Sequence, residues 1–221
     1  MLYILATPIG NLSDLSGRAK EILQTADFII AENPTYSLRL LNHLEIKNKK
    51  LLQFADHNEE KALPKIISEL KNSNGVLISD AGTPAISDPG FRLVREAIKE
   101  NILVSPVPGP SAAIAALSAS GLPTDKFLFF GFVPKTEIKL IKELGQAEST
   151  NATAIFYESP QRILKSAGYI AKKWPGAKVV VARELTKIHE EFIRGNALNV
   201  FEELRKRPSI KGEITVIVSF K

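Results

Sequence analysis

Gly75-Val76-Leu77-Ile78-Ser79 is a short apolar run that stops on Asp80-Ala81-Gly82-Thr83-Pro84-Ala85-Ile86-Ser87-Asp88-Pro89-Gly90, a loop of small, turn-forming residues. The run does not alternate with polar residues, so it reads as a strand buried on both faces. Pro89 and Gly90 then open a helix over 91–100. The same grammar recurs on either side. Leu2 to Ala6 is an apolar strand that feeds Thr7-Pro8-Ile9-Gly10-Asn11-Leu12 and a helix over 16–25. Ile102 to Val107 feeds Pro108-Gly109-Pro110-Ser111 and a small-residue helix over 112–120. Asp27 to Ala31 and Leu51 to Ala55 supply two more strands, with helices over 38–44 and from Asn58, as N-cap, to about Leu70. Strand followed by helix, repeated over 110 residues, predicts a parallel sheet covered on both faces.

Gly121-Leu122-Pro123 closes this half and marks the expected boundary, with an N-terminal α/β domain over 1–120 and a C-terminal α/β domain over 121–221. The second half reads differently. Strands are expected at Phe127–Gly131, Ala152–Tyr157, Lys178–Arg183, Glu190–Arg194 and Glu213–Ser219, with helices over 135–146, 160–173 and 196–207. The two strands at 178–183 and 190–194 are too close in sequence for a crossover helix, so they pair antiparallel and the second sheet is mixed.

Composition narrows the chemistry. The chain has 221 residues, 44% hydrophobic, and no cysteine, which excludes disulfides, thiolate catalysis and Cys-rich metal sites. No apolar run approaches the roughly 18 residues of a membrane span, and Met1 to Ala6 is too short for a signal peptide, so a soluble, cytoplasmic protein is expected. Residues 161–221 hold 13 Lys/Arg against 6 Asp/Glu, whereas the first 160 hold 16 against 18. The excess of positive charge in the last part suits either a polyanion such as RNA or a plain solvated surface.

Ligands of open α/β sheets bind beyond the carboxyl ends of the strands. The three Gly/Pro loops at 7–12, 79–90 and 107–112 all fall there, and together they predict a cradle of free backbone amides for a polar small molecule. The ligand is not a dinucleotide held by Gly-x-Gly-x-x-Gly, nor a triphosphate on a Gly-x-x-x-x-Gly-Lys loop, because neither motif is present. Spacing alone leaves the ligand unidentified.

Longer stretches carry a resemblance. "LYILATPIGN" (2–11), "SDAGTPAISDPGFRLV" (79–94), "PVPGPSAAIAALSASGLP" (106–123), "FLFFGFVP" (127–134), "IFYESPQRI" (155–163), "VVVARELTK" (179–187) and "KGEITVIV" (211–218) resemble, in order and over nearly the whole chain, the bacterial small-subunit ribosomal RNA 2′-O-ribose methyltransferases. Those enzymes are similar to the tetrapyrrole (corrin/porphyrin) methylases. The resemblance implies two α/β domains of that fold with S-adenosylmethionine (SAM) in the cleft between them, a homodimer, no metal, and a cytidine ribose of small-subunit rRNA as substrate. It implies a SAM pocket of Pro8, Gly10, Asp80, Gly82, Ile86, Ser87, Asp88, Ser111 and Ala112 from the first domain. Tyr157, Ala182, Arg183, Glu184, Gly212 and Glu213 join from the second.

Methyl transfer to a ribose hydroxyl calls for a proton acceptor or an aligning hydrogen bond. Glu32, at the end of the second strand, is the first candidate. His57, in an Asp56-His57-Asn58-Glu59 cluster that matches the family's, is the other. Arg162, Lys187 and Arg194 are candidates for RNA phosphates. The family typically reads Ala-Glu-Asp-Thr-Arg where this chain has Ala31-Glu32-Asn33-Pro34-Thr35, and Arg39 is the candidate to stand in for the missing arginine. The segment after Pro134 is shorter and less basic than the family's, and the helical tail of many members is lacking. Two other readings share the fold. One is a tetrapyrrole C-methyltransferase; the other is a SAM- or ribosome-binding module without catalysis.

Overall fold

The computed structural model describes residues 1–221, which divide into two compact units, Met1–Ser111 and Ala112–Lys221. The first unit holds β1 (Leu2–Leu5), α1 (Gly17–Thr25), β2 (Phe28–Ala31), α2 (Pro34–His43), β3 (Lys50–Gln53), α3 (Glu59–Leu70), β4 (Gly75–Ile78), α4 (Phe91–Lys99) and β5 (Val104–Val107). Its five strands are all parallel, in the order β3-β2-β4-β1-β5. The parallel sheet expected from the apolar runs is therefore present. β2 and β4 are buried at every position, as strands covered on both faces must be.

Two apolar layers do the covering. Leu5, Ile29, Ala31, Val76, Ile78 and Val107 pack against Ala19 and Leu23 of α1 and Leu41 of α2. Leu2, Phe28, Ile30 and Leu77 pack on the other face against Ile66, Ile67 and Leu70 of α3 and Leu93 and Ala97 of α4. The chain thus leaves β1 toward one face and β4 toward the opposite face, although β1 and β4 are hydrogen-bonded neighbours. That divergence is the topological switch of an open α/β sheet, and it opens a crevice at the carboxyl ends of those two strands.

The second unit contains α5 (Ala112–Ser118), β6 (Phe127–Phe132), α6 (Glu137–Ser149), β7 (Thr153–Glu158), α7 (Ile163–Lys173), β8 (Lys178–Arg183), β9 (Glu191–Asn196), α8 (Ala197–Arg205) and β10 (Ile214–Ser219). Strand order is β6-β7-β10-β8-β9, with β6 and β7 parallel and the other pairs antiparallel. The mixed sheet and its β8–β9 hairpin match the sequence expectation. Leu140 and Leu144 of α6, Ile163 and Ile170 of α7 and Val200 and Leu204 of α8 cover one face through Phe156, Val181 and Val216.

Element ends differ from the sequence reading in ways with local causes. α2 begins at Pro34, not Leu38, because the Asn33 side chain accepts from the Tyr36 amide and Pro34 fills the first turn, where a missing N–H costs nothing. Asn58 does stand at the N-cap of α3, but its side chain turns back to accept from the Ala55 amide at 2.9 Å and caps nothing. α6 starts two residues late and runs to Ser149, and α7 starts at Ile163, after the turn that Ser159 closes onto Arg162 and Ile163.

Candidate functional site

The crevice of the first unit is built by its three Gly/Pro loops. Thr7 and Gly82 exchange backbone hydrogen bonds of 2.9 and 3.0 Å, so the loops after β1 and β4 are tied to each other where the chain diverges. The buried Thr7 hydroxyl donates to the Ser79 carbonyl at 3.2 Å, and Thr83 Oγ1 donates to the Pro110 carbonyl of the third loop at 3.1 Å. A side chain at Gly109 would sit 3.0 Å from Ala6 Cβ, so the third loop approaches the first closely enough that only glycine fits without displacement. Only some of the loop amides are free: those of Thr7 and Gly82 are consumed in joining the loops, and those of Ala85 and Ile86 bond within the second loop. The amides of Gly10 and Ser87 are left without a partner in the chain.

The loop at 79–90 holds its shape at a conformational cost. Gly82, Ala85, Ser87 and Gly90 all have positive φ, at 84, 67, 65 and 138°. Two of them carry a Cβ, in a region that costs about 1 kcal/mol or more outside glycine. A Cβ on Gly90 would lie 2.8 Å from Leu77 Cδ2 of the buried layer. Such strain persists where surrounding contacts over-determine it, as the Thr7, Thr83 and Pro89 hydrogen bonds do here.

Carboxylates line this rim. Glu32 follows β2, Asp56 follows β3, and Asp80 and Asp88 lie in the loop after β4. Glu32 accepts from the Asp80 amide at 3.4 Å, while the Asn33 amide donates to the Asp80 carboxylate, so the two chain segments hold each other. Burial is the main reason that the carboxyl of Glu32 is raised above its ordinary pKa; the Asp80 amide opposes the shift, and Asp88, Asp80 and Asp56 add to it. Burial likewise raises Asp80 and Asp88, against hydrogen bonds from Asn33 and Ser79 respectively. No cationic side chain offsets these charges, and one buried oxygen of Asp80, Oδ1, has no hydrogen-bond partner. The carboxylates do not converge tightly enough to form a metal cage.

The other residues named for this unit fall around the same loops. Pro8 is half-buried and Gly10 exposed in the first loop, Ile86 and Ser87 are exposed in the second, and Ser111 ends the third. His57 is exposed in the turn before α3, beside Asp56. Arg39 is exposed on α2, its guanidinium 5.4 Å above the Tyr36 ring.

In the second unit, Ala112 begins α5 and Ala182 is buried in β8. Arg183, Glu184, Gly212 and Glu213 interlock. Glu184 donates its amide to the Glu213 carbonyl at 2.9 Å, and its carboxylate accepts the Glu213 amide at 3.0 Å and the Lys187 ammonium at 2.8 Å. The Lys187 hydrogen bond and the Glu213 amide hold Glu184 below the usual carboxylate range. Glu184 and Thr186 themselves sit at positive φ, and Gly212, at φ 92°, packs so tightly that a Cβ would overlap the Glu184 side chain. Arg183 pairs with Glu191 at 3.0 Å and donates to the Lys211 and His189 carbonyls.

Three of the four cations named for RNA are committed within the chain. Lys187 bridges Glu184 and Glu213. Arg162 donates to the Val133 and Pro134 carbonyls at 2.6 and 3.0 Å and lies 3.4 Å from buried Glu158. Arg194 donates to the Ala119 and Ser120 carbonyls beyond the end of α5 and stacks on Phe192. Of the four, Arg39 alone makes no hydrogen bond or ion pair within the chain, only its contact with the Tyr36 ring. Thr7 and Ser79, which fasten the crevice, were not singled out from sequence; a hydroxyl flanking each Gly/Pro loop was their only signal.

Known proteins share both the sequence and the fold. The family model of Tetrapyrrole (Corrin/Porphyrin) Methylases matches residues 1–200. Ribosomal RNA small subunit methyltransferase I of Hydrogenobaculum sp. is 48% identical over 220 residues, covering 99% of this chain and 95% of that protein. The protein of the same name from Thermotoga maritima is 42% identical over 223 residues, covering 100% and 98%. Among solved structures, the methyltransferase CobJ superposes with a TM-score of 0.73 at 18% identity, covering 99% of this chain and 93% of that one; at that identity the likeness speaks for the fold alone.

Proposed function

Because the chain belongs to the tetrapyrrole (corrin/porphyrin) methylases and, within them, to the family of ribosomal RNA small subunit methyltransferase I, we propose that it transfers the methyl group of SAM to the 2′-hydroxyl of a cytidine ribose in small-subunit rRNA. The observation that carries this reading is the rim of the first sheet, where joined Gly/Pro loops and carboxylates without cationic partners border the β1/β4 crevice.

SAM is a nucleoside with a sulfonium and an ammonium charge, and the residues present fit it. Asp80, Asp88 and Glu32 supply uncompensated negative charge, Asp80 Oδ1 is a buried acceptor in want of a donor, and the Gly10 and Ser87 amides are free to donate. Pro8, Gly10, Asp80, Gly82, Ile86, Ser87, Asp88 and Ser111 are the residues of the first unit that would hold it. Ala112, Tyr157, Ala182, Arg183, Glu184, Gly212 and Glu213 are assigned to the same ligand by family likeness. Gly82 contributes shape, since its amide is already bonded to Thr7. When bound, SAM supplies an electrophilic methyl group, so the chain's own task is to place a hydroxyl oxygen in line and remove its proton.

Glu32 is the group we assign to that proton. Burial and its acidic neighbours raise its affinity for one, and the Asp80 amide fixes one oxygen while leaving the other to face a substrate. His57, exposed and flanked by Asp56, is the second candidate. Arg39 is the cation best placed to meet a phosphate, and a ribosomal substrate sets the reaction in the cytoplasm. The active species in this reading is a homodimer, a state that suits the exposed Phe91 and Ile98 of α4 and nearby Leu103. No helix is long and apolar enough to cross a membrane.

The test is transfer of tritium from methyl-labelled SAM to small ribosomal subunits isolated from cells lacking the protein. Label is expected in one cytidine, in a dinucleotide that resists alkaline cleavage, and a 2′-deoxy substitution there should abolish it. Label in a base, or in a porphyrinogen instead of RNA, would overturn the assignment.

A further inference from the structure

β6 is an edge strand whose last residue is a large aromatic ring held out in solvent. Phe132 is 64% exposed. Its backbone, by contrast, is fixed from several sides. Between Phe129 and Phe132 the pairing with β7 shifts by one residue, and Gly131 adopts φ 72°, which makes a bulge that re-aims the side chain. The Val133 amide donates to the Tyr157 carbonyl at 2.8 Å. Arg162 grips the Val133 and Pro134 carbonyls, and Arg162 is in turn set by Glu158, which is 4% exposed and bonded to the Ser159 amide and the Ser166 hydroxyl.

The ring has an aromatic neighbour. Phe132 and Tyr157 lie edge to face with centroids 5.7 Å apart, and Phe129 meets Tyr157 in the same manner at 5.0 Å. An edge-to-face pair covers at most one face of one ring, so Phe132 keeps a flat face open. Three residues on, Lys135 is exposed and takes no ion pair. A rigidly presented aromatic face, with a free cation a few residues along the chain, is a combination by which proteins hold single-stranded nucleic acid, one stacking a base and the other meeting a phosphate.

We propose that Phe132 stacks on an unpaired nucleobase of the RNA substrate, with Arg162 and Glu158 as positioning residues that hold the strand end in place. The proposal rests on the rRNA reading above and adds a contact to it. Phe132→Ala and Phe132→Leu should raise the KM for small subunits roughly tenfold or more, with kcat little changed. Phe132→Trp should restore the wild-type value. Affinity for S-adenosylhomocysteine by titration calorimetry, and the sedimentation coefficient, should stay as in the wild type. Equal KM values across the series would overturn the proposal. So would a loss of S-adenosylhomocysteine affinity, which would give the ring to the cofactor's adenine, or a change in sedimentation, which would give it to a second copy. Wild-type protein that leaves subunits unmethylated defeats the functional reading instead. The stacking role is then read from filter binding of subunits, where Phe and Trp are expected to bind alike and Leu and Ala more weakly, and equal binding overturns it.

Discussion

In the proposed reading, Glu32 acquires its task as proton acceptor from its surroundings. An exposed glutamate is ionised and weakly basic at neutral pH. This one follows a fully buried strand, lies near Asp80 and Asp88, and takes only a long hydrogen bond from the Asp80 amide. Its pKa is therefore raised, so it holds a proton to higher pH than a free glutamate and becomes a better proton acceptor once ionised. Glu32→Gln is expected to lower kcat by a factor on the order of 10² to 10⁴ while S-adenosylhomocysteine still binds. In the wild type, activity should fall on the acid side with a midpoint above the ordinary glutamate value, because the base must be ionised to work. Phe132 and Arg194 make the contrasting point. Their side-chain types suggest a core residue and a phosphate ligand; their partners make the first an exposed ring and the second a clamp on carbonyls 74 and 75 residues earlier in the chain.

At the level of elements, the strands were legible because each is a short apolar run cut off by glycine and proline, and because β2 and β4 are buried on both faces. The mixed second sheet was legible in the short gap between β8 and β9. What sequence did not reveal were contacts made across the chain. The Thr7–Gly82 bridge spans 75 positions and can be seen only when β1 and β4 are neighbours. The start of α2 was within reach, since Asn33-Pro34 is a cap followed by a first-turn proline. The hairpin of β8 and β9 also carries a test of stability. Glu191 accepts from Arg207 at 2.6 and 2.7 Å and from Arg183 at 3.0 Å, and Arg207 first, then Arg183, holds its pKa down to about 2. A carboxylate depressed in the folded state stabilises the fold above its unfolded pKa, and that contribution fades as pH falls toward about 2. Glu191→Gln should therefore lower the denaturant midpoint at pH 7, and the gap from the wild type should close on acidification. A gap of constant size would show that the ion pairs contribute nothing.

For the whole molecule, the order β3-β2-β4-β1-β5 matters more than any single motif. It sends the chain from adjacent strands to opposite faces, and so puts the loops of "ATPIGN" and "SDAGTPAISDPG" side by side although they lie more than 70 residues apart. Glycine and proline let the loops approach, Thr7, Ser79 and Thr83 fasten them, and the acidic side chains give the opening its charge. In the proposed reading, function at this scale is the affinity of that opening for a cationic nucleoside. The direct measurement is a crystal structure of the protein with S-adenosylhomocysteine bound. Density for the ligand is expected against the 79–90 loop, within hydrogen-bonding reach of Asp80 and the Ser87 amide. A ligand seated elsewhere, with the β1/β4 rim untouched, would contradict the account.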